Sequence, residues 1–185
     1  MKRLITRKQL IKNVLFGISA PLILSIPIKS IRTAYLRLFV RSLGNGCFIG
    51  KSIDVRNPSG ISIGNNVVIN KRVLLDGRGG LSIGNNVDIA QDAHIWTEQH
   101  DYQDNHHKLK DAPVIIEDYV WICANSSILP GVTIKKGAVI ALGAIVTKNV
   151  ESLSVVAGVP AKEINKRINS LCYTLSYKPR FFDIQ

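Results

Sequence analysis

Aromatic side chains are scarce, at 6% of 185 residues, and methionine occurs once. A core built from rings is thereby excluded, and Ile, Val, Leu and Gly must fill that place. Cysteine occurs three times, at Cys47, Cys123 and Cys172, odd in number and far apart. This excludes a disulfide scaffold and a CxxC zinc site, and it suits a reducing, cytoplasmic compartment. Acidic residues are absent from residues 1–41, which hold nine basic ones: Lys2, Arg3, Arg7, Lys8, Lys12, Lys29, Arg32, Arg37 and Arg41. The formal net charge of +11 is therefore local, because the other 144 residues contribute 15 − 13 = +2. A nucleic-acid binder more often carries a basic stripe with interleaved aromatics along its folded face, so no nucleic-acid partner is expected. What remains is a chain that is 46% hydrophobic, above the range of disordered sequences and long enough for one core of ordinary size.

The basic start leads into an apolar run, Val14–Ile28, interrupted by Pro21 and Pro27. At fifteen residues the run falls short of the roughly 20 needed to cross a bilayer as a helix. No small-x-small cleavage site follows, which argues against a secretory signal. The spacing predicts two amphipathic helices within a basic segment 1–44. In the first, Leu10, Ile11, Val14, Leu15 and Ile18 share a face opposite Lys8, Lys12 and Asn13. In the second, Ile31, Tyr35, Leu38, Phe39 and Leu43 recur at three- and four-residue steps, and Gly44 can end the helix. Two roles stay open for this segment: a cap on the fold that follows, or peripheral contact with anionic lipid at the inner face of the cell membrane.

From residue 49 the period changes to six. The register reads Ile49, Val55; Ile63, Ile69, Leu75; Ile83, Ile89, Ile95; then Ile116, Ile122, Ile128, Ile134, Ile140 and Val146. Four positions after each comes a small or branched residue, among them Val67, Val73, Val87, Ala93, Val120, Ala138 and Ala144, with Gly79 and Gln99 as exceptions. A period of six matches neither a helix nor a simple strand. It matches a coil of short flat strands separated by corners, one six-residue unit per side of a triangular prism and 18 residues per turn. Asn65-Asn66 and Asn85-Asn86 are corner candidates, since asparagine tolerates positive φ. The sequence therefore predicts an all-β solenoid of about five coils over 45–150, with a helical cap before it and a short C-terminal helix and tail over 151–185. The register breaks three times: by two residues after Val55 and after Leu75, and by fifteen between Ile95 and Ile116. The last excess forms an extruded loop, 96–115, which is polar and holds His100, His106 and His107. Long loops inside a compact domain usually carry function.

The stretch IEDYVWICANSSILPGVTIKKGAVIALGAIVTKNVESLSVVAGVPAKEI, residues 116–164, resembles the hexapeptide-repeat acyltransferases, and within them the O-acetyltransferase branch that includes galactoside and maltose acetyltransferases. The resemblance implies a left-handed parallel β-helix, acetyl-CoA as co-substrate, a sugar acceptor such as a surface polysaccharide or its precursor, and a homotrimer with its cleft between subunits. It also implies roles for single residues. His100, in HIWTEQHDY, matches the general base, and Asn70 matches an Asn near the reacting centre, with a plain corner residue as its other reading. On the acetyl-CoA side Trp121, Ala124, Leu142, Thr147, Lys148 and Lys162 match family positions, although Leu142 stands where a small residue is usual. Asn165 stands where a second basic residue is common, and Lys166 is the neighbouring substitute.

The chemistry is consistent with these residue types. Acetyl transfer to an alcohol needs a base for the hydroxyl proton and donors for the oxyanion, and an imidazole is largely neutral at working pH. Asp76 and Asp101 are candidates for acceptor hydroxyls, with a turn as the plain reading of Asp76; Asp101 or Glu98 could also orient the imidazole. His94 is the rival base, though it is expected at a corner or on the surface, and His106 and His107 read as solvated loop residues. N-acetylation of an amino-sugar nucleotide and a non-catalytic scaffold stay open as other functions. The histidine spacings lack the pattern of the zinc-binding β-helices, so no metal is expected.

Overall fold

In a flat rung alternate side chains point to opposite faces, so a filled interior demands an inward aliphatic residue that recurs at every sixth position. The computed structural model describes residues 6–168 and 170–177, without the side chains of Lys8 and Gln9, and builds such rungs. The first sheet stacks β1 (Ser42–Leu43), β4 (Ile61–Ile63), β7 (Leu81–Ile83), β12 (Val114–Ile116) and β15 (Thr133–Ile134). The second stacks β2 (Phe48–Ile49), β5 (Val68–Ile69), β8 (Asp88–Ile89), β13 (Trp121–Ile122), β16 (Val139–Ile140) and β18 (Ser154–Ala157), with β19 (Lys162–Lys166) antiparallel at its edge. The third stacks β3 (Asp54–Arg56), β6 (Leu74–Asp76), β9 (His94–Ile95), β14 (Ser127–Ile128) and β17 (Ile145–Val146). Within the solenoid all rungs are parallel, and Ile116 pairs with Ile134, one 18-residue turn later.

The predicted inward residues fill the prism: Ile49, Ile69, Leu75, Ile89, Ile95, Ile122, Ile128, Ile134 and Ile140 are wholly buried, as are Val67, Val73, Val87, Ala93, Ala138 and Ala144. Val55 is only half-buried, and Gln99 leaves the register because it lies outside the solenoid. The corners take positive φ at Asn66, Asn86, Asp92 and Asn125, and also at Arg72, Tyr119 and Leu153, where stacking overrides residue preference. A side-chain ladder reinforces one edge. The backbone N–H of Asn45 donates to Asn65 Oδ1, that of Asn65 to Asn85 Oδ1, and that of Asn85 to Asp118 Oδ1.

The count of turns corrects the expectation slightly: about six replace five, because pairing begins at Ser42 and continues through the Ile134–Val150 bridge to β18. The expected short C-terminal helix is absent from the described residues after 150. Instead β18 and β19 form an antiparallel pair, and residues 170–177 carry no regular secondary structure. That tail lies on its own chain: Tyr173 meets Tyr119, the Leu175 N–H donates to Asn86 Oδ1, and Tyr177 meets Phe48. Residues 178–185 lie outside the described residues.

Two helices close the first coil, α1 (Arg7–Ile23) and α2 (Lys29–Phe39). Phe16, Ala20, Leu24, Leu36 and Val40 join the solenoid core, so the segment is a cap. Arg32 is buried beneath the first coil, its Nε–H donating to the Ile49 carbonyl at 2.9 Å. The helix faces differ from expectation. Leu10, Ile11, Val14, Leu15 and Ile18 point to solvent, whereas the Lys12 and Asn13 side faces the protein: Lys12 Nζ donates to the Leu38 carbonyl and Asn13 Nδ2 to Asn57 Oδ1. The second helix ends at Phe39, before β1, and not at Gly44.

Rung spacing leaves no room for a side chain where corners overlie one another. A Cβ on Gly64 would sit 2.5 Å from the Gly84 carbonyl oxygen and 2.7 Å from its carbon. Gly64→Ala is expected to cost about 1–3 kcal/mol in urea unfolding, since backbone, not a flexible side chain, must move.

Candidate functional site

All three insertions fall at one edge of the prism, between the third and first sheets. After β3 the chain makes a 3₁₀ turn, Pro58–Gly60; after β6 it turns through 77–80; after β9 it leaves the stack. The extruded segment is an arm with its own strands: β10 (Glu98–His100) pairs antiparallel with β11 (Leu109–Asp111), His100 opposite Leu109. Register is regained at Val114, which pairs with Leu81.

The base of the arm is clamped to the coil below. Asp76 is fully buried, and its Oδ1 accepts from Arg78 Nε at 2.9 Å and from the Arg78 backbone N–H at 3.0 Å. Its Oδ2 accepts from Arg78 Nη2 at 3.0 Å and from the Thr97 N–H at 3.1 Å. Arg78 Nη1 also meets Glu98 Oε1 at 2.5 Å, so one guanidinium ties the coil to the first residue of β10. Thr97, buried, donates its hydroxyl to the Asp76 carbonyl and accepts from the Gly79 N–H. Burial by itself would raise the Asp76 carboxyl, but the bonds from the Arg78 side chain and from the Arg78 and Thr97 N–H groups outweigh it and hold the carboxyl below its ordinary value. The Asp76 carboxylate, expected to bind acceptor hydroxyls or to serve in a turn, spends its hydrogen bonds on the root of the arm.

His100 stands exposed on the arm. Its Nδ1 lies 2.6 Å from the His107 carbonyl oxygen, and the two imidazoles stack with centroids 3.8 Å apart and planes within 4°. A carbonyl only accepts, so this contact assigns the proton to Nδ1 and leaves the Nε2 lone pair available. His107 is thus the residue that sequence reasoning missed. Its neighbour His106 is exposed, as expected, and its backbone N–H donates to Asp104 Oδ1. Neither carboxylate expected to hold the imidazole does so: Glu98 pairs with Arg78, and Asp101 Oδ1 accepts from the Gln103 N–H at the arm's tip. His94 faces outward from the third sheet beside Trp96, over which Arg56 lies at 4.9 Å.

The other predicted residues gather at a different edge. Asn70, Ala124 and Leu142 occupy corners on the edge between the second and third sheets, with the 90–93 corner stacked between Asn70 and Ala124, and the Gly143 N–H donates to the Ala124 carbonyl. The turn leading into Lys162 completes the column, with the Ala161 N–H donating to the Ile145 carbonyl. Leu142 is 72% exposed, so its bulk projects outward and does not crowd the stack. Asn70 Nδ2 donates to the Ile89 carbonyl at 3.0 Å and approaches Asp88 Oδ1 at 3.4 Å; burial pushes the Asp88 carboxyl up. Asn70 also lines a small open cavity with Lys51, Lys71, Gln91 and Tyr177. Trp121 projects from the second sheet, 46% exposed, three residues before Ala124. Thr147 and Lys148 are exposed at the end of β17, on the arm's side of the third sheet. Lys166 pairs with Ser154 and Lys162 with Ala157, so the two lysines stand four rung residues apart, about 13 Å, at opposite ends of β19. Within one chain, therefore, the structure brings Asn70, Ala124, Leu142 and Lys162 to one edge and His100 to another. Among the described residues no group of three or more His, Cys, Asp or Glu could hold a metal ion.

No protein-family model matches the chain. A hexapeptide-repeat-containing acetyltransferase from Vibrio cholerae, solved with acetyl coenzyme A, superposes with a TM-score of 0.78 at 25% identity over 88% of each chain. A galactoside acetyltransferase solved with coenzyme A gives a TM-score of 0.79 at 25% identity, covering 89% of this chain and 84% of that one. A 2,3,4,5-tetrahydropyridine-2,6-dicarboxylate N-acetyltransferase of Staphylococcus aureus is 58% identical over 55 residues, which is 30% of this chain; the match spans only 23% of that relative's length.

If the clamp fixes the arm, Asp76→Asn should lower stability by about 1–3 kcal/mol. Because the native carboxyl is depressed, its contribution is present above the ordinary pKa of about 3.9 and is lost as pH falls through the lower native value. Melting curves from pH 7 down to pH 3 should therefore fall more steeply for the wild type than for Asp76→Asn, and parallel curves would remove the clamp. In fold and over most of its length, the chain is a parallel β-solenoid similar to hexapeptide-repeat acetyltransferases, among them ones solved with acetyl-CoA or CoA.

Proposed function

We propose that the protein is an acetyl-CoA-dependent O-acetyltransferase acting on a sugar hydroxyl, of a surface polysaccharide or its precursor, with His100 as general base. The observation that carries this reading is the 2.6 Å contact between His100 Nδ1 and the His107 carbonyl. It presents Nε2 as a proton acceptor on an exposed arm. Nε2 takes the acceptor hydroxyl proton as the oxygen attacks the thioester carbon; the carbon–sulfur bond breaks, and the proton returns to the leaving thiolate.

The separation of His100 from the edge bearing Asn70, Ala124, Leu142 and Lys162 supports a site completed by a second copy. The arm of one subunit then meets the edge of its neighbour, as a homotrimer with its clefts between subunits would arrange. On that edge Ala124 and Leu142 offer backbone groups to the pantetheine arm, Trp121 offers a ring to pack against it, and Asn70 stands by the reacting centre. Lys162 is placed for nucleotide phosphate through charge-assisted bonds. Thr147 and Lys148 close the same cleft from the arm's side, while Lys166 at the far end of β19 is the weaker candidate. Asp101 remains an acceptor-side candidate on the arm.

His100→Ala is expected to reduce transfer by about 10²- to 10⁴-fold while acetyl-CoA still raises the melting temperature. An active variant removes His100 as base. The Staphylococcus aureus N-acetyltransferase relative favours amine acceptors as the second reading, and wild-type assays on matched alcohol and amine sugars decide between them.

A further inference from the structure

The cap helix turns its most apolar side away from the protein. Phe16 and Ala20 face the core, while Leu10, Ile11, Val14, Leu15, Ile18 and Leu22 stand 53–77% exposed. At 1.5 Å per residue, the stripe from Leu10 to Leu22 is about 18 Å long. On α2, Ile31 and Leu38 are exposed as well, at 41% and 65%, and Lys12 Nζ bonds the Leu38 carbonyl, so the two outward faces adjoin. Monomeric soluble proteins rarely leave so many large aliphatic side chains contiguous and uncovered.

Charge identifies what covers them. The segment 1–41 holds nine basic residues and no acid. Among the described ones, Arg7, Lys29, Arg37 and Arg41 are exposed around this cap. Pairing the stripe with its counterpart on another copy would bring two wholly basic segments together and leave their charge uncompensated. An anionic bilayer supplies both missing complements, acyl chains for the stripe and headgroup charge for the rim. Among the described residues no helix is long and apolar enough to cross a membrane, so such a helix lies in the interface.

We infer that α1 docks the protein flat on an anionic lipid surface through Leu10, Ile11, Val14, Leu15, Ile18 and Leu22, leaving the arm and the corner edge free. The inference deepens the acceptor reading above and draws its purpose from it, a sugar carried on lipid, but docking itself requires no acetyl transfer.

The test is co-sedimentation of the full chain with vesicles of phosphatidylcholine containing 30% phosphatidylglycerol, compared with pure phosphatidylcholine. Expected are binding to the anionic vesicles, at least tenfold weaker binding to neutral ones, weakening with added salt, and a further tenfold or greater loss in Ile18→Asn/Leu22→Asn. That double variant should keep the wild-type melting temperature and its activity on a soluble acceptor. Equal sedimentation of wild type and variant overturns the inference, as does absence of binding. So does concentration-dependent self-association abolished by the same substitutions. Failure of acetyl transfer with vesicle binding intact would strike the enzymatic reading alone.

Discussion

The interior of the prism is filled by aliphatic side chains stacked rung over rung, and this steric limit governs everything else. Each buried Ile or Leu lies over its equivalent in the next coil, so that Ile63 overlies Ile83 and Ile116 overlies Ile134. A residue added within a rung would turn the next inward side chain to solvent, because the pleat alternates. Extra residues are tolerable only at corners. In this chain they accumulate at one corner, between the third and first sheets, in three consecutive coils. The small insertions after β3 and β6 do more than interrupt the repeat: they build the platform, with Arg78 at its tip, from which the long insertion departs.

The platform converts an insertion into a rigid arm. A two-stranded ribbon is marginal by itself in water. Here its root is held by a buried carboxylate that accepts four hydrogen bonds, two from the side chain of Arg78 and two from backbone N–H groups. An uncompensated carboxylate at that depth would be costly, whereas a fully bonded one gives orientation. The same arginine reaches Glu98 at the start of β10, and the antiparallel register then sets His100 opposite Leu109, with the turn bringing the His107 carbonyl beneath its Nδ1. Tautomer choice at the arm is thus a consequence of ribbon register.

The solenoid was legible because its period is a direct readout of burial: the sixfold register names the inward residues almost one for one. The insertions were legible for the same reason, as gaps in a strict count. What could not be read was whatever depends on contacts between insertions. Asp76 looked like a polar residue at a turn, and only the approach of Thr97, twenty-one positions later, shows that it is buried. His107 carried no signal, since its contribution is a carbonyl and a ring face. The cap misled for a different reason. The helix is apolar on nearly all sides, so periodicity found a hydrophobic face without telling which of two faces meets the core. Phe16, Ala20 and Leu24 won that contact, and the Phe16 ring packs against the Tyr35 and Phe39 rings of α2.

The same steric limit separates the parts of the candidate site. A corner column such as Asn70, Ala124 and Leu142 runs parallel to the prism axis, and an arm leaving the neighbouring corner must begin a full prism side away. The clamp at Asp76 prevents the arm from folding back to close that gap, since it fixes the departure of β10 at its first residue. With the clamp intact, the imidazole and the corner column stay at different edges of the same chain. Rigidity at the root of the arm and the separation of His100 from the corner column within one chain are therefore one property, and both follow from where a prism allows residues to be added.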